Sequence, residues 1–441
     1  MSNWTRKKWV VVTIAAIFAV IIALLIAALL LNQEITRYVE SPQFRAELEK
    51  ETAKGLHFPS AKFAPIHRVG RFSARTESFF ANGGRKAMTD LDATEITGQF
   101  NPSGIFARRW QIDDLQIDRA RVGIHIYEPK PEPSPSKPWY QVFLPDHVYL
   151  KRTWSDHVDV TWPMRGEIGG VFQTKLVVTP HGRDFEYHAS SGTLKNSFMP
   201  DVTVQNIHLL ITKQLIALYN LDVSSGEGTI HGEGNATTVD PKRADFSFNW
   251  SKLPVSEWLP RNWEGKFAGA ASGNLHWTGN VYTMAAATIA GSAHVNGGRI
   301  RGLKFLDQIA TITNHKDLAA LQLDECRSNF RWREGDCELK DVVLEETRKF
   351  KIDGTISFSR RSLRGTLELG VAPEYLDWLP HPEEIFTRKS GGYLWTTVHV
   401  SGTLDDPKQD LSPRLLAAIK ESPGALIQLA LRSLSAWLKK Q

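Results

Sequence analysis

Between Gly298 and Leu369 the chain reads as a small helix followed by two hairpins, each apolar on one face only. A two-residue turn at Glu334-Gly335 sets Trp332 opposite Cys337, Phe330 opposite Leu339 and Cys326 opposite Val343, while Arg331 meets Glu338 on the other face. A second turn at Arg360-Arg361 sets Phe358 opposite Leu363, Gly354 opposite Leu367 and Ile352 opposite Leu369, and Ile356 joins them by the same period of two. A slip of one residue would turn every apolar group outward, so two consecutive hairpins that agree on a register constrain the fold strongly. They demand a sheet with one apolar and one charged face.

The rest of the chain extends this pattern. At 441 residues there is room for several domains, yet tryptophans, glycines and short alternating segments run evenly, which favours one elongated architecture. The formal charge of +5 is small for this length, and Lys and Arg alternate with Asp and Glu instead of forming a stripe, so nucleic acid is not an expected partner. Residues 1–8 read as a cytoplasmic tail. Trp9 to Leu31 holds a single polar residue, Thr13, and a helix of that length covers a hydrocarbon core of roughly 30 Å. Arg6, Lys7 and Lys8 flank it on one side and Asn32-Gln33-Glu34 on the other, which predicts a permanent signal anchor with the body outside the cytoplasm.

A helical stalk or lid is expected over 32–57, with Ser41-Pro42 at a helix start and Gly55 near its end. Strands begin near Phe58. One helical turn is expected within Asn101–Trp110, followed by the strand pair Gln111–Ile117 and Arg121–Tyr127, then a proline-rich surface connection from Pro129 to Pro138. The glycines at 226, 228, 232 and 234 depart from dinucleotide-binding spacing and open no helix; strand bends explain them better. A weak repeat at an offset near 120 residues relates Glu257-Trp-Leu-Pro260 to Asp377-Trp-Leu-Pro380 and Gly273–Trp277 to Gly392–Trp395. Stacked repeats predict a body whose units touch chiefly their neighbours.

Over 412–441 two amphipathic helices are expected, starting at Ser412-Pro413 and Ser422-Pro423. In the second, Leu426, Ile427, Ala430, Leu431, Leu434, Trp437 and Leu438 form one stripe beside Arg432, Lys439 and Lys440. Two roles stay open for it: contact with a membrane surface, and closure of the end of the sheet. Cys326 and Cys337 are the only cysteines, and the hairpin register places them about six residues apart, roughly 20 Å, against the ~7 Å that a bridge allows. Two buried free thiols are expected.

Catalytic constellations are missing from the pattern. Adjacent carboxylates such as Asp113-Asp114 and Glu383-Glu384 point to opposite faces of a strand, the histidines are scattered, and no metal-ligand spacing, G-x-S-x-G elbow or phosphate-cradling loop occurs. Neither an enzyme nor a cofactor or metal site is expected.

The stretch Asn296–Leu306, then Ser328–Val342, then Ile352–Phe358, resembles the carboxyl-terminal region of the AsmA-like family (AsmA/TamB type), and Val400–Lys408 resembles its closing strand. The single span, helix and strands near Trp110–Val122 resemble that family's front end. The resemblance is sharp only over 296–408. It implies a mainly β fold, an elongated, curved, antiparallel-rich sheet forming an open groove, with residues 58–295 as its first part, 296–411 as the AsmA-like part and 412–441 as the closing helices. It further implies an inner-membrane anchor, a body in the periplasm, and kinship with bridge-like lipid transfer proteins. The expected partners are phospholipids, the inner membrane through the amino-terminal helix, and the outer membrane or an envelope protein through the carboxyl-terminal helices. Phe330, Trp332, Leu339, Val343, Ile352, Ile356, Phe358, Leu363, Leu367 and Leu369 would line the groove and hold acyl chains, each buried methylene contributing about 0.8 kcal/mol. The alternative is a scaffold that presents edge strands to outer-membrane proteins.

Overall fold

A computed structural model describes residues 32–420, apart from 85–87, 106–109, 126–147, 165–166, 182–183, 198, 238, 241, 260–262, 281–282, 303–305, 308–309, 311–314 and 405. The chain is mainly β and divides into two compact units, Met1–Pro180 and His181–Gln441. The boundary expected at 295/296 falls inside a continuous strand. The anchor at 9–31, the proline-rich connection and the stripe Leu426, Ile427, Leu431, Leu434, Trp437 and Leu438 lie outside the described residues. Among the described residues no helix is long and apolar enough to cross a membrane.

In the first unit, residues 32–39 are helical, and after a turn the chain enters α1 (Pro42–Leu56). The Ser41 hydroxyl accepts the Phe44 N–H at 3.2 Å, Pro42 occupies the first turn where its missing N–H costs nothing, and His57 ends the helix in the left-handed region. The helix therefore ends at Leu56, one residue beyond the glycine expected to close it, with His57 as its cap.

Strands β1 (Ser60–Phe63), β2 (Ile66–Arg68), β3 (Ser73–Asn82), β4 (Met88–Asn101) and β5 (Trp110–Ile124) form antiparallel pairs centred on β3 and β4. β6 (Val148–Leu150) and β7 (Thr153–Pro163) both run parallel to β5, and β8 (Ile168–His181) returns antiparallel to β7. The sheet is thus mixed. β5 replaces the two shorter strands expected over 111–127. Asp118, Arg119 and Ala120 contain no breaker, and pairing continues through them on both sides, with Ala120 beside Ala93 of β4 and Val158 of β7. Phe79, Ala81 and Ala93 form the core of this unit together with Ala53 of α1 and Phe58 just beyond it, and Leu56 packs alongside.

The second unit is an antiparallel succession. It comprises β9 (Asp184–Ser190), β10 (Thr193–Asn196), β11 (Met199–Ile211), β12 (Leu215–Ser225), β13 (Gly228–Thr237), β14 (Ala244–Pro254), β15 (Phe267–Asn280), β16 (Thr283–Arg301), β17 (Ala320–Leu323), β18 (Glu325–Arg333), β19 (Asp336–Glu346), β20 (Phe350–Phe358), β21 (Leu363–Val371), β22 (Arg388–Ser390), β23 (Tyr393–Gly402) and β24 (Pro407–Gln409). From β11 to β16 each strand pairs with the next; β16 then meets both β17 and β18, and β23 receives β21, β22 and β24. Short helices α2 (Val255–Trp258) and α3 (Pro382–Ile385) fill connections, and α4 (Leu411–Lys420) follows β24.

Both hairpins have the expected turns. Glu334 and Gly335 take φ of 53° and 92°, the positive values that a two-residue turn between twisted strands requires. The Ser359 N–H donates to the Ser362 carbonyl around Arg360-Arg361, and Phe358, Gly354 and Ile352 face Leu363, Leu367 and Leu369. Where a small helix was expected ahead of them, the structure has helical residues 306–307 and a 3-10 turn at Lys316–Ala319.

One register differs. Cys326 faces Leu344, not Val343, because β19 carries an extra residue between Leu339 and Val342, with Asp341 in the left-handed region at φ 50°. The repeat reappears as structure: β13 and β14 lead into α2 and β15, as β20 and β21 lead into a 3-10 turn at Pro373–Tyr375 and then β23.

Candidate functional site

Residues directly opposite each other in an antiparallel pair share a face, so the register traces one side of the second unit from strand to strand. Ile352, Ile356 and Phe358 of β20 stand beside Leu369, Gly365 and Leu363 of β21, and beside Leu344, Leu339 and Cys337 of β19. Leu339 and Cys337 stand beside Phe330 and Trp332 of β18, which stand beside Gly291 and Ile289 of β16. Across β21, Leu367 meets Val398 of β23. Nine of the ten expected lining residues are therefore on this face. Val343 is the exception: it stands beside Arg327 and Asp353 on the polar face, and Val342 takes its place opposite Gly354. The extra residue at Asp341 reverses the alternation beyond it.

The same face continues past the residues singled out from sequence. Leu275 and Trp277 of β15 follow Gly291 and Ile289; Phe248 and Phe246 of β14 follow them; Gly232 and Gly234 of β13, then Leu221 and Leu218 of β12, then Ile207 and Leu209 of β11 complete the series, ending at Ala189 and Tyr187 of β9. The signal was present in the alternation Phe246-Ser-Phe-Asn-Trp250. Opposite this wall stand Asp245, Ser247 and Asn249 of β14, His276 of β15, and Arg331 with Glu338.

Aromatic rings lie over the glycines. A Cβ at Gly232 would come within 2.6 Å of the Phe248 ring, one at Gly234 within 2.6 Å of Phe246, and one at Gly273 within 2.6 Å of Trp250. The glycine string is thus a floor on which rings from the next strand rest, and Phe246 stacks in turn on Trp277 with centroids 5.3 Å apart. None of Phe246, Phe248, Trp250, Leu275, Trp277, Phe330 or Trp332 is fully buried. The surface has the chemistry of a core without being covered like one.

Burial pushes the Cys326 thiol up to about 11 and raises Cys337 and the Tyr187 hydroxyl above their ordinary ranges. Both cysteines are free thiols.

One margin of the face is covered. Leu306, Leu321 and Leu323 pack on Phe350 with Cys326, Leu344 and Ile352, and Leu376, Leu379, Ile385 and Phe386 pack on Leu369, Val371 and Leu394. Leu411, Leu415 and Ala418 of α4 join the second group. Gln409 Oε1 accepts the Ser412 N–H at the start of α4, and Arg414 Nη2 donates to the Thr397 carbonyl at 2.6 Å, tying the helix to β23. Glu346, an acid at this margin, accepts the Gln322 N–H and pairs with Lys349, so its own charge is compensated.

No family model matches the chain, and no solved structure does. Among curated proteins, the probable feruloyl esterase B-2 of Aspergillus flavus is 32% identical over 82 residues, which is 18% of this chain and 16% of that esterase. The likeness spans under a fifth of either protein and carries no reaction class to this chain.

Proposed function

We propose that the chain is an AsmA-like, membrane-anchored β-groove protein that holds lipid acyl chains against the apolar face of its second unit and supports phospholipid movement across a Gram-negative-type envelope. Residues 9–31 anchor it in the inner membrane, with the body in the periplasm. The observation that supports this reading is the unbroken apolar register from Tyr187 to Val398, which is incompletely covered. Each methylene withdrawn from water onto such a wall contributes about 0.8 kcal/mol, and a wall that is apolar at every strand offers a tail many near-equal positions, so it slides without a deep trap.

A photo-reactive residue tests the reading. Placed at Phe248 or Phe330 in the membrane-embedded protein, it should capture phospholipid, while the same group at Asn249 or Arg331, one residue away on the other face, should not. Equal capture at both sets removes the proposal.

A further inference from the structure

On the polar face of the second unit three imidazoles converge on one carboxylate. Glu186 and His188 are two apart on β9 and so share a face, and His208 of β11 pairs directly opposite His188. His181, three residues ahead of β9, reaches the same group. Nε2 of His208 lies 2.7 Å and Nε2 of His188 3.2 Å from Oε1 of Glu186, and Nε2 of His181 lies 2.9 Å from Oε2. The His188 and His208 rings stack with centroids 3.9 Å apart, and Tyr219 lies 4.8 Å from His208. The three donors, His181 foremost, hold the Glu186 carboxyl down to about 2, so it is a full anion.

Elsewhere on this face a carboxylate meets a single histidine: Asp222 with His231 and Asp245 with His276. The cluster is different in kind. It gathers three nitrogen donors and one oxygen donor, no thiolate; Glu186, His188 and His208 sit on two strands that the ladder holds in fixed register, and His181 ends β8 just ahead of them. The ligand atoms of Glu186, His188 and His208 lie within 4.8 Å of one another, while donors around a tetrahedral ion with bonds near 2.0–2.1 Å sit roughly 3.4 Å apart. Small side-chain rotations close that gap, and the half-exposed setting of Glu186 and His208 leaves room for them and a way in from solvent.

We propose that His181, Glu186, His188 and His208 bind one divalent cation of the zinc class, each imidazole through Nε2 and the glutamate through a carboxylate oxygen. Nitrogen-rich donors select Zn²⁺, Ni²⁺ or Cu²⁺ over Mg²⁺ and Ca²⁺. Glu186, His188 and His208 form the nucleus, and with His181 swung in from the second carboxylate oxygen as fourth ligand the site is closed and structural, a clasp between β9 and β11. Each neutral ring turns to the tautomer that carries its proton on Nδ1, freeing Nε2 for the metal. The proposal stands independently of the lipid reading, since the clasp lies on the opposite face.

Calorimetric titration of Zn²⁺ into chelator-treated full-length protein tests it. One ion per chain is expected, with an unfolding temperature that rises with zinc concentration because the ion binds the folded state. His188→Ala and His208→Ala should each weaken binding by more than the roughly 10–100-fold that loss of an outer-shell partner costs. His231→Ala, on the same face, should leave it unchanged. Glu186→Gln keeps the side-chain volume and gives a second measure should either alanine variant fail to fold. A wild-type protein without a stoichiometric site overturns the proposal, as does equal affinity in wild type and in Glu186→Gln.

Discussion

Both units build a sheet with one apolar face; the first buries its middle, whereas the second is covered at a margin and leaves its middle open. Phe79, Ala81 and Ala93 are 4%, 1% and 2% exposed, against Phe246, Phe248 and Trp250, which keep a larger part of their surface open. The strand alternation is alike in the two places; the side-chain sizes differ. Alanines at 81, 93 and 120 leave a shallow bed into which α1 sinks Ala53 and Leu56. Phenylalanine and tryptophan resting over glycines make a surface that is already filled to one ring's thickness and has no slot for a helix. Small residues admit an element of the same chain, and large rings over glycine leave the middle of the wall without one.

That contrast can be broken by substitution, most severely in the first unit. Phe79→Ala should destabilise by about 3–5 kcal/mol in denaturant unfolding, because it empties a closed core. A cost near that of an exposed position would mean α1 is only loosely seated. Gly232→Ala should cost about 1–3 kcal/mol, since its Cβ must displace the Phe248 ring. Its near-ultraviolet circular dichroism should change with it; an unchanged spectrum would deny the ring its resting place.

Phe248→Ala should cost only about 1 kcal/mol, the ordinary effect of a point change, while displacement of a fluorescent fatty acid should show clearly weaker binding. If it proves as costly as Phe79→Ala, the two faces are equivalent and the comparison fails. The smallest effect concerns pH. Asp324 accepts the Thr347 N–H at 2.8 Å, which holds its carboxyl below the usual carboxylate range. A depressed folded value contributes stability that is complete above the unfolded value near ~3.9 and fades as pH falls through the folded one. Asp324→Asn should therefore lower stability slightly at neutral pH and flatten its fall in acid, so that variant and wild type converge at low pH, measured as the unfolding midpoint against pH.

What could be read from sequence was set by period and turn chemistry. Glu334-Gly335 and Arg360-Arg361 were legible because the pairs on either side of each agreed. Asp341 was not: a single non-glycine residue in the left-handed region leaves no mark in composition, and it alone moved Val343 to the polar face. Two strands were expected over 111–127 with a break after Ile117, but pairing on both edges carries β5 through Asp118-Arg119. The histidine cluster was illegible for another reason. His188 and His208 become neighbours only through the β9–β11 pairing, and local ligand spacing has no term for a cross-strand partner 20 residues away.

The repeat that relates β13–β15 to β20, β21 and β23 has a consequence for how such a chain can change length. β20 lies six inter-strand steps beyond β13, a translation of about 29 Å at ~4.8 Å per step. Six is even, so the inserted block returns the chain to the same direction and the same margin of the sheet. Duplicating or deleting such a block would keep the direction of every flanking strand, which makes the number of strands in the second unit a quantity adjustable in whole steps.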